Sequence, residues 1–469
     1  MKGMMLLVSL FLGGNNIAQS IKEKLDLAIE KMEADSQMRH GLVAFCVADG
    51  KTGQILYDHH SQIGMAPASC QKIFTSIAAF ELLGADYRYK TELGIDGNIQ
   101  MGILNGNLHL TGSGDPTLGS WRWAETKEEP FFGIILASLQ QNHINKIAGR
   151  ILLDDSKFDI QGVPDGWIWQ DIGNYYGAGC WGINWHENQY DMIFQPGMRT
   201  GDSARIIGLN PQIDVKTFIN QVKTGEQGSG DNGYIYLAPY ATGGFTLGTI
   251  PMGEKTFTIS GSLPYPSIEM GRSLEKALIR NNIQVVKGFQ AYSEQLEIGQ
   301  HWPKQQKTIL VHYSPPLDSM NYWFLKKSIN LYAEALVKTI AYVKTGSGTT
   351  EKGLELIKKY WNDQGIELSA INMIDGSGLS PQNRITADAL VKALYKANAH
   401  PWFSSFYNSL PEINGMKMKS GSIGGVKSFA GYQTRSDGNQ YIFAVIVNNY
   451  DGNNSSMIEK IFGLLDILK

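Results

Sequence analysis

The chain's first candidate chemistry is Ser69-Cys70-Gln71-Lys72. A serine hydroxyl is a weak nucleophile until a neighbouring base takes its proton. A lysine three residues on can be that base if the segment is helical, because residues at that spacing share a helix face. Ile73, Ile77 and Phe80 follow at three- and four-residue spacing, and Gly84 ends the run. The pattern predicts a helix opening at Ser69. By itself the tetrapeptide also reads as a helix-capping serine followed by a solvated lysine. Ser273-Leu274-Glu275-Lys276 repeats the spacing, so partners elsewhere must decide.

Serine penicillin-recognising enzymes add two elements, S-x-N and K-[ST]-G, in that order. Ser319-Met320-Asn321 and Ser328-Ile329-Asn330 both fit the second. Lys51-Thr52-Gly53, Lys223-Thr224-Gly225, Lys344-Thr345-Gly346 and Lys419-Ser420-Gly421 all fit the third. The third element must present its lysine and hydroxyl from a strand edge. Only Lys419-Ser420-Gly421 leads through a glycine turn into two long apolar strands, Ser428 to Thr434 and Gln440 to Val447. Lys51 to Gly53 is a hairpin turn, Lys223 to Gly225 lies amid glycine and charge, and Lys344 to Gly346 sits in a loop between helices. For the second element, Ser328-Ile329-Asn330 precedes the helical run Leu331 to Leu336.

The elements around these residues are legible from periodicity. Residues 18–34 read as an amphipathic helix, and Leu42 to Val47 with Gln54 to Tyr57 as a hairpin. From about Tyr89 the texture changes to short strands and glycine turns, with helices expected at 131–145 and 266–282. Leu110 to Leu118 is glycine-rich but lacks a P-loop lysine and dinucleotide spacing, and reads as a structural turn. From Leu310 the pattern strengthens. His312 to Leu317 leads into a helix that continues through Trp323, Ile329 and Ile340. A helix at 351–363, a tight loop Asp375 to Ser380, a Thr386-capped helix Ala387 to Ala397 and a closing helix Met457 to Leu468 follow. The fold class is α/β, with the β-rich block, roughly 91 to 300, spliced between the two ends.

Taken together, Pro67 to Lys72, Leu110 to Leu118, Gly149 to Phe158, His312 to Leu317, Ser328 to Leu336, Asp375 to Ser380 and Lys419 to Tyr432 resemble one family. It is the class C, low-molecular-mass penicillin-binding proteins, which are D-alanyl-D-alanine carboxypeptidases and endopeptidases. The departures are mild: Ser420 stands where threonine is common, and Cys70 where another small residue is frequent. The resemblance implies a β-lactamase-like transpeptidase domain, an antiparallel sheet flanked by helices, built from 21–90 and 300–469. It implies an inserted domain from 91–162 and 236–299, with a further domain nested at 163–235.

The resemblance also implies roles. Ser69 is the nucleophile towards the carbonyl between two D-alanines. Lys72, kept neutral by burial and by a second lysine, accepts its proton. Ser328 relays that proton to the leaving amine, and Asn330 orients Lys72 and the substrate amide. Lys419 and Ser420, at the edge formed with Gly421 and Ser422, bind the terminal carboxylate. The N–H groups of Ser69 and Ser422 form an oxyanion hole, where one donor is worth roughly 3–4 kcal/mol. Asp171, Tyr176 and Arg384 match positions expected near the amino end of the stem peptide. The partners implied are peptidoglycan stem peptides, with β-lactams as inhibitors, and peripheral membrane contact is compatible with the family. A β-lactamase is the nearest alternative, but no deacylating carboxylate signature is evident. A non-catalytic wall-binding or β-lactam-sensing protein is the other, against which the intact set of five side chains argues.

Composition narrows the rest. A net charge of −3 without a basic block argues against nucleic acid as partner. Glycine is abundant, 52 of 469 residues, which predicts many turns. Cys46, Cys70 and Cys180 fit no metal or disulfide framework, so no metal and no cofactor are expected. Cys70 reads as a small packing residue. His312 reads as a structural residue where the chain turns into a helix. Trp167, Trp169, Tyr175, Tyr176 and Trp181 read as core packing rather than a sugar platform. Met1-Lys2-Gly3, the apolar run Met4 to Leu12 and the small and polar residues up to Ser20 read as a secretory signal peptide over 1–20, cut near Ala18 to Ser20. A bacterial periplasm or cell envelope is the expected location. The sequence carries no signal for oligomeric state.

Overall fold

The structure, a computed structural model, describes residues 21–295 and 301–469. The expected signal peptide lies outside the described residues. Among those described, no helix is long and apolar enough to cross a membrane. The chain divides into two compact units. One holds the described residues up to Leu82, Met320–Ser328 and Leu354–Lys469; the other holds Leu83–Ser319 and Ile329–Gly353.

The first unit is built on a six-stranded antiparallel sheet. Its strands run Ile55–His59, Leu42–Asp49, Gln440–Asn448, Val426–Thr434, Met416–Ile423, Glu412–Ile413 from edge to edge. Alternation along the central strands sorts side chains by size. Val43, Phe45 and Val47, opposite Val447, Val445 and Phe443, pack with Leu25, Ile29, Met457, Ile461 and Leu464 of the helices 21–33 and Asn454–Leu465. The residues between them, Ala44, Cys46 and Ala48, face the other way. The helix Ala387–Ala397 packs there, capped by Thr386 as expected. Both faces are covered, so Leu42–Asp49 is buried almost throughout and reads as one apolar run.

The second unit carries two cores. Helices Glu128–Gln141 and Pro266–Arg280 pack Phe131, Ile135, Leu139, Leu274 and Leu278 against Leu93, Leu110 and Leu153 of a five-stranded sheet. A separate core, from Tyr190 to Leu263, lies between a three-stranded sheet centred on Gln189–Gln195 and a four-stranded sheet around Gly243–Pro251.

The helix expected to run unbroken through Trp323 and Ile340 is two helices, Leu317–Lys326 and Asn330–Thr345. Ser328 breaks it with a left-handed backbone, φ +57. Lys327-Ser328-Ile329 contains neither proline nor glycine, so composition gives no sign of the break. His312 likewise sits in a strand, Lys307–Tyr313, its ring edge-on to Phe131 at 5.0 Å, and burial lowers its pKa.

Candidate active site

Ser69 does not open an α-helix. It sits in a 3₁₀ turn, Ala68–Gln71, and the α-helix Lys72–Leu83 begins one residue later. The difference matters, because three residues per turn eclipse side chains at i and i+3. Ser69 and Lys72 therefore line up, and Lys72 Nζ stands 3.0 Å from Ser69 Oγ. The turn is entered through Ala68 at φ +46, a left-handed conformation that costs a β-carbon-bearing residue about 1–2 kcal/mol.

Two close approaches hold the turn in place. A β-carbon at Gly421 would lie 2.6 Å from Pro67 O and 2.9 Å from Ser69 N, so only glycine lets the strand Met416–Ile423 come this near. Ser428 Oγ donates to Pro67 O at 2.5 Å, and Cys70 Sγ to Lys419 O at 3.2 Å. From the other side comes the loop Asp375 to Ser380. Lys72 Nζ donates to Ser377 O at 2.8 Å, Thr75 Oγ1 to Gly376 O at 2.6 Å, and Gln71 Nε2 to Asp375 Oδ1 at 2.9 Å. The fully buried Asp375 carboxylate also accepts from Gly378 N at 2.7 Å, Ser380 N at 2.6 Å and Asn383 Nδ2 at 3.0 Å.

Lys72 and Lys419 are both buried. Lys419 Nζ donates to Ser328 Oγ at 2.9 Å and to Ser420 O at 2.8 Å. Burial pulls its pKa down to about 8. Ser69, Ser328 and Ser420 stay half-buried and Ser422 exposed. The first unit thus brings Ser69, Lys72, Ser328, Lys419, Ser420 and Gly421 into one constellation. Among the described residues, the strand along Lys419 to Ser422 is paired with Val426–Thr434 alone, since Glu412–Ile413 reaches no further than Lys417.

Asn330, two residues after Ser328, starts the helix Asn330–Thr345 and belongs to the second unit. Its Nδ2 donates to Tyr176 O at 2.7 Å, and Tyr176 Oη donates to Asp171 Oδ1 at 3.2 Å. Burial raises the Asp171 carboxyl against the opposing effect of Tyr176. Asn330, Asp171 and Tyr176 are therefore neighbours. Arg384 belongs to the first unit, exposed, with its guanidinium donating to Pro381 O and Asn383 O at 2.7 Å each. Among the five aromatics expected in the core, Trp167 and Trp181 are buried, but Trp169 and Tyr175 are about half exposed, at 47% and 50%. Their short helix and 3₁₀ turn, Trp169–Ile172 and Tyr175–Gly177, lie at the surface of this unit, a placement that periodicity cannot reveal.

The rival motifs have other occupations. Ser319 Oγ accepts from Trp123 Nε1, and Asn321 Oδ1 accepts from Ser76 Oγ. Lys223 Nζ donates to Ser203 Oγ, and Gly346 is the left-handed cap of a helix. The cysteines are free and buried, and burial raises the Cys70 thiol to about 11.

Sequence reasoning missed two buried carboxylates. Asp375 organises the loop under Lys72. Glu187 accepts from Arg122, Ser120 and Tyr332, the last on the helix that Asn330 begins. A D-G-S-G string predicts a turn, and nothing local predicts either carboxylate's distant partners.

A serine hydroxyl on a tight turn, a buried lysine beside it and a second buried lysine on the neighbouring strand are parts that an acyl-transfer site needs. The D-Ala-D-Ala carboxypeptidase 3 (S13) family matches residues 25–465. The chain belongs to that family. It is accordingly a serine D-Ala-D-Ala carboxypeptidase. The D-alanyl-D-alanine carboxypeptidase of Actinomadura sp. (strain R39) is 26% identical over 92% of this chain and 81% of its own length. The D-alanyl-D-alanine carboxypeptidase DacB of Haemophilus influenzae is 24% identical over 87% of this chain and 85% of its own length. Penicillin binding protein 4 from Haemophilus influenzae has the same fold, with a TM-score of 0.78 at 22% identity over 91% of this chain and 96% of that one.

Proposed function

We propose that this S13 enzyme hydrolyses the D-alanyl-D-alanine end of peptidoglycan stem peptides through an acyl-enzyme on Ser69. The observation that carries the reading is the 3.0 Å approach of the buried Lys72 amine to the Ser69 hydroxyl. Ser69 Oγ forms a bond to the carbonyl carbon between the two D-alanines while its proton passes to neutral Lys72 Nζ. Ser328 relays a proton to the nitrogen of the terminal D-alanine as the C–N bond breaks. Asn330 orients the substrate amide. Lys419 and Ser420 hold the terminal carboxylate, and the peptide lies along the unpaired edge from Lys419 to Ser422 as an added strand. The N–H groups of Ser69 and Ser422 stabilise the oxyanion. Water then cleaves the ester and returns Ser69.

Asp171 and Tyr176, with Arg384, receive the amino end of the stem peptide's diamino acid. The same site opens peptide cross-links when the leaving group is the side-chain amine of a second stem peptide's diamino acid. β-Lactams acylate Ser69 in place of the dipeptide; the Haemophilus influenzae penicillin binding protein 4 has been crystallised with one. Secretion to a periplasm or cell envelope fits both the wall substrate and the lysine-then-apolar N-terminal pattern.

A fluorescent penicillin with Ser69→Ala as the control tests the reading. Wild type labels and the variant stays dark; equal labelling of the two ends the assignment. Slow release of the label, with negligible nitrocefin turnover, separates the reading from a β-lactamase.

A further inference from the structure

Glu33, His59 and His60 form a second cluster of chemically capable side chains, in the first unit and apart from the catalytic residues. Adjacent residues on a strand point to opposite faces. His59 ends the edge strand Ile55–His59, and His60 follows it with a left-handed backbone, φ +51. That turn brings the second ring back beside the first, with centroids 4.1 Å apart and planes at 43°. Glu33, in the last turn of the helix 21–33, places Oε1 at 2.8 Å from His59 Nε2. One nitrogen from each ring and one carboxylate oxygen all lie within 4.8 Å of one another.

We propose that these three residues bind a divalent transition cation of the zinc class. Bonds of 2.0–2.2 Å to a tetrahedral ion set its ligand atoms roughly 3.4 Å apart. Small side-chain rotations at a half-exposed surface close the remaining difference. Two imidazoles and one carboxylate are a zinc-type donor set, whereas calcium and magnesium take oxygen ligands. His60 Nδ1 lies 3.3 Å from Val43 O. A metal-bound imidazole uses that kind of contact to fix its tautomer, which leaves Nε2 free to ligate. Water completes the fourth position. The ion ties the end of the helix 21–33 to the end of the edge strand, so it acts on stability rather than on Ser69.

The test is calorimetric titration of the full chain, carrying no polyhistidine tag, with zinc chloride and with calcium chloride as control. Thermal unfolding is followed in parallel. Wild type takes up one zinc per chain and unfolds at a higher temperature with zinc present, while calcium gives neither effect. His60→Asn, chosen because asparagine tolerates the left-handed backbone, and Glu33→Gln each weaken zinc binding about tenfold or more. Both keep the zinc-free Tm and the carboxypeptidase activity of wild type. Zinc affinity unchanged in both variants overturns the proposal, as does calcium binding as tight as zinc.

Discussion

Lys419 Nζ lies 2.9 Å from Ser328 Oγ, and Lys419 is 1% exposed. The lysine is held where water cannot solvate its charge, and burial pulls its pKa from the usual lysine value of 10.5 down to about 8. In the proposed mechanism the substrate carboxylate is held by Lys419 in its charged form. Acylation by a penicillin is expected to decline as pH rises through about 8, with the loss in apparent affinity before the maximal rate. Stability moves the opposite way. Between about 8 and 10.5 the unfolded chain holds a proton on this lysine that the folded chain has released, so stability attributable to Lys419 rises with pH across that window. Below it the buried charge costs roughly 3 kcal/mol. Lys419→Met at pH 7 should therefore lose acylation and gain Tm. A variant that loses both would show that the amine's hydrogen bonds outweigh its desolvation.

Gly421→Ala places a methyl group against Pro67 O, Ser69 N and Ser428 Oγ. Two of these are backbone atoms of the Ser69 turn, which cannot rotate away as a side chain could. Overpacking of this kind costs about 1–3 kcal/mol. The larger effect falls on chemistry, because a shift of an ångström at Ser69 suffices for about a hundredfold loss of rate. Stopped-flow acylation of the variant should show that loss with Tm only a few degrees lower. A normal rate would mean that the strand and the turn adjust together.

Asp375 is fully buried and accepts from Gln71, Gly378, Ser380 and Asn383. Asp375→Ala removes the carboxylate that ties these four donors together; Gln71 Nε2 keeps the residue-375 carbonyl and Asn383 Nδ2 keeps Ser380 O at 2.9 Å, so the loss falls mainly on the loop's backbone N–H groups, at about 1–3 kcal/mol for a donor that water cannot reach. Asp375→Asn keeps the shape and loses the charge that strengthens the bonds. The loop carries the Ser377 carbonyl that fixes Lys72 Nζ. Both variants should label slowly with fluorescent penicillin, alanine more so, and alanine should show a markedly lower Tm. Wild-type labelling by Asp375→Ala would separate the loop from the placement of Lys72.

How far the sequence was legible follows from how local each signal is. Ser69 and Lys72 are joined by three residues of spacing, and Lys419 is marked by the two apolar strands after it. Strong periodicity also gave the helices near both ends to within a few residues. The 3₁₀ turn at Ser69 has no sequence signal, because Ala68 adopts its left-handed backbone without a glycine to announce it. The break at Ser328 escaped for the same reason. Asp375 and Glu187 escaped because their partners are remote in sequence: Gln71 lies 304 residues from Asp375, and Tyr332 lies 145 from Glu187. The exposure of Trp169 and Tyr175 is set by tertiary placement, which a run of aromatics does not encode.

Glu187 offers the sharpest separation of stability from positioning. Its carboxylate is 0% exposed and meets Arg122 Nε at 2.7 Å and Tyr332 Oη at 2.9 Å. It lies in a run of three left-handed residues, His186, Glu187 and Asn188, with φ near 52. Tyr332 sits two residues after Asn330, so the Glu187 bond anchors the first turn of that helix. Glu187→Ala takes the carboxylate away from a mostly buried arginine and should cost roughly 3–5 kcal/mol. Replacing both Glu187 and Arg122 by methionine removes the charge together with its partner and should restore most of that stability. Tyr332 still lacks its acceptor in the double variant. Acylation is therefore expected to stay slow, by about tenfold, while Tm recovers, since a lost hydrogen bond to a charged group is worth about 1.5–3 kcal/mol. If acylation recovers in step with Tm, Glu187 serves only to neutralise Arg122, and the start of the helix is placed by other contacts.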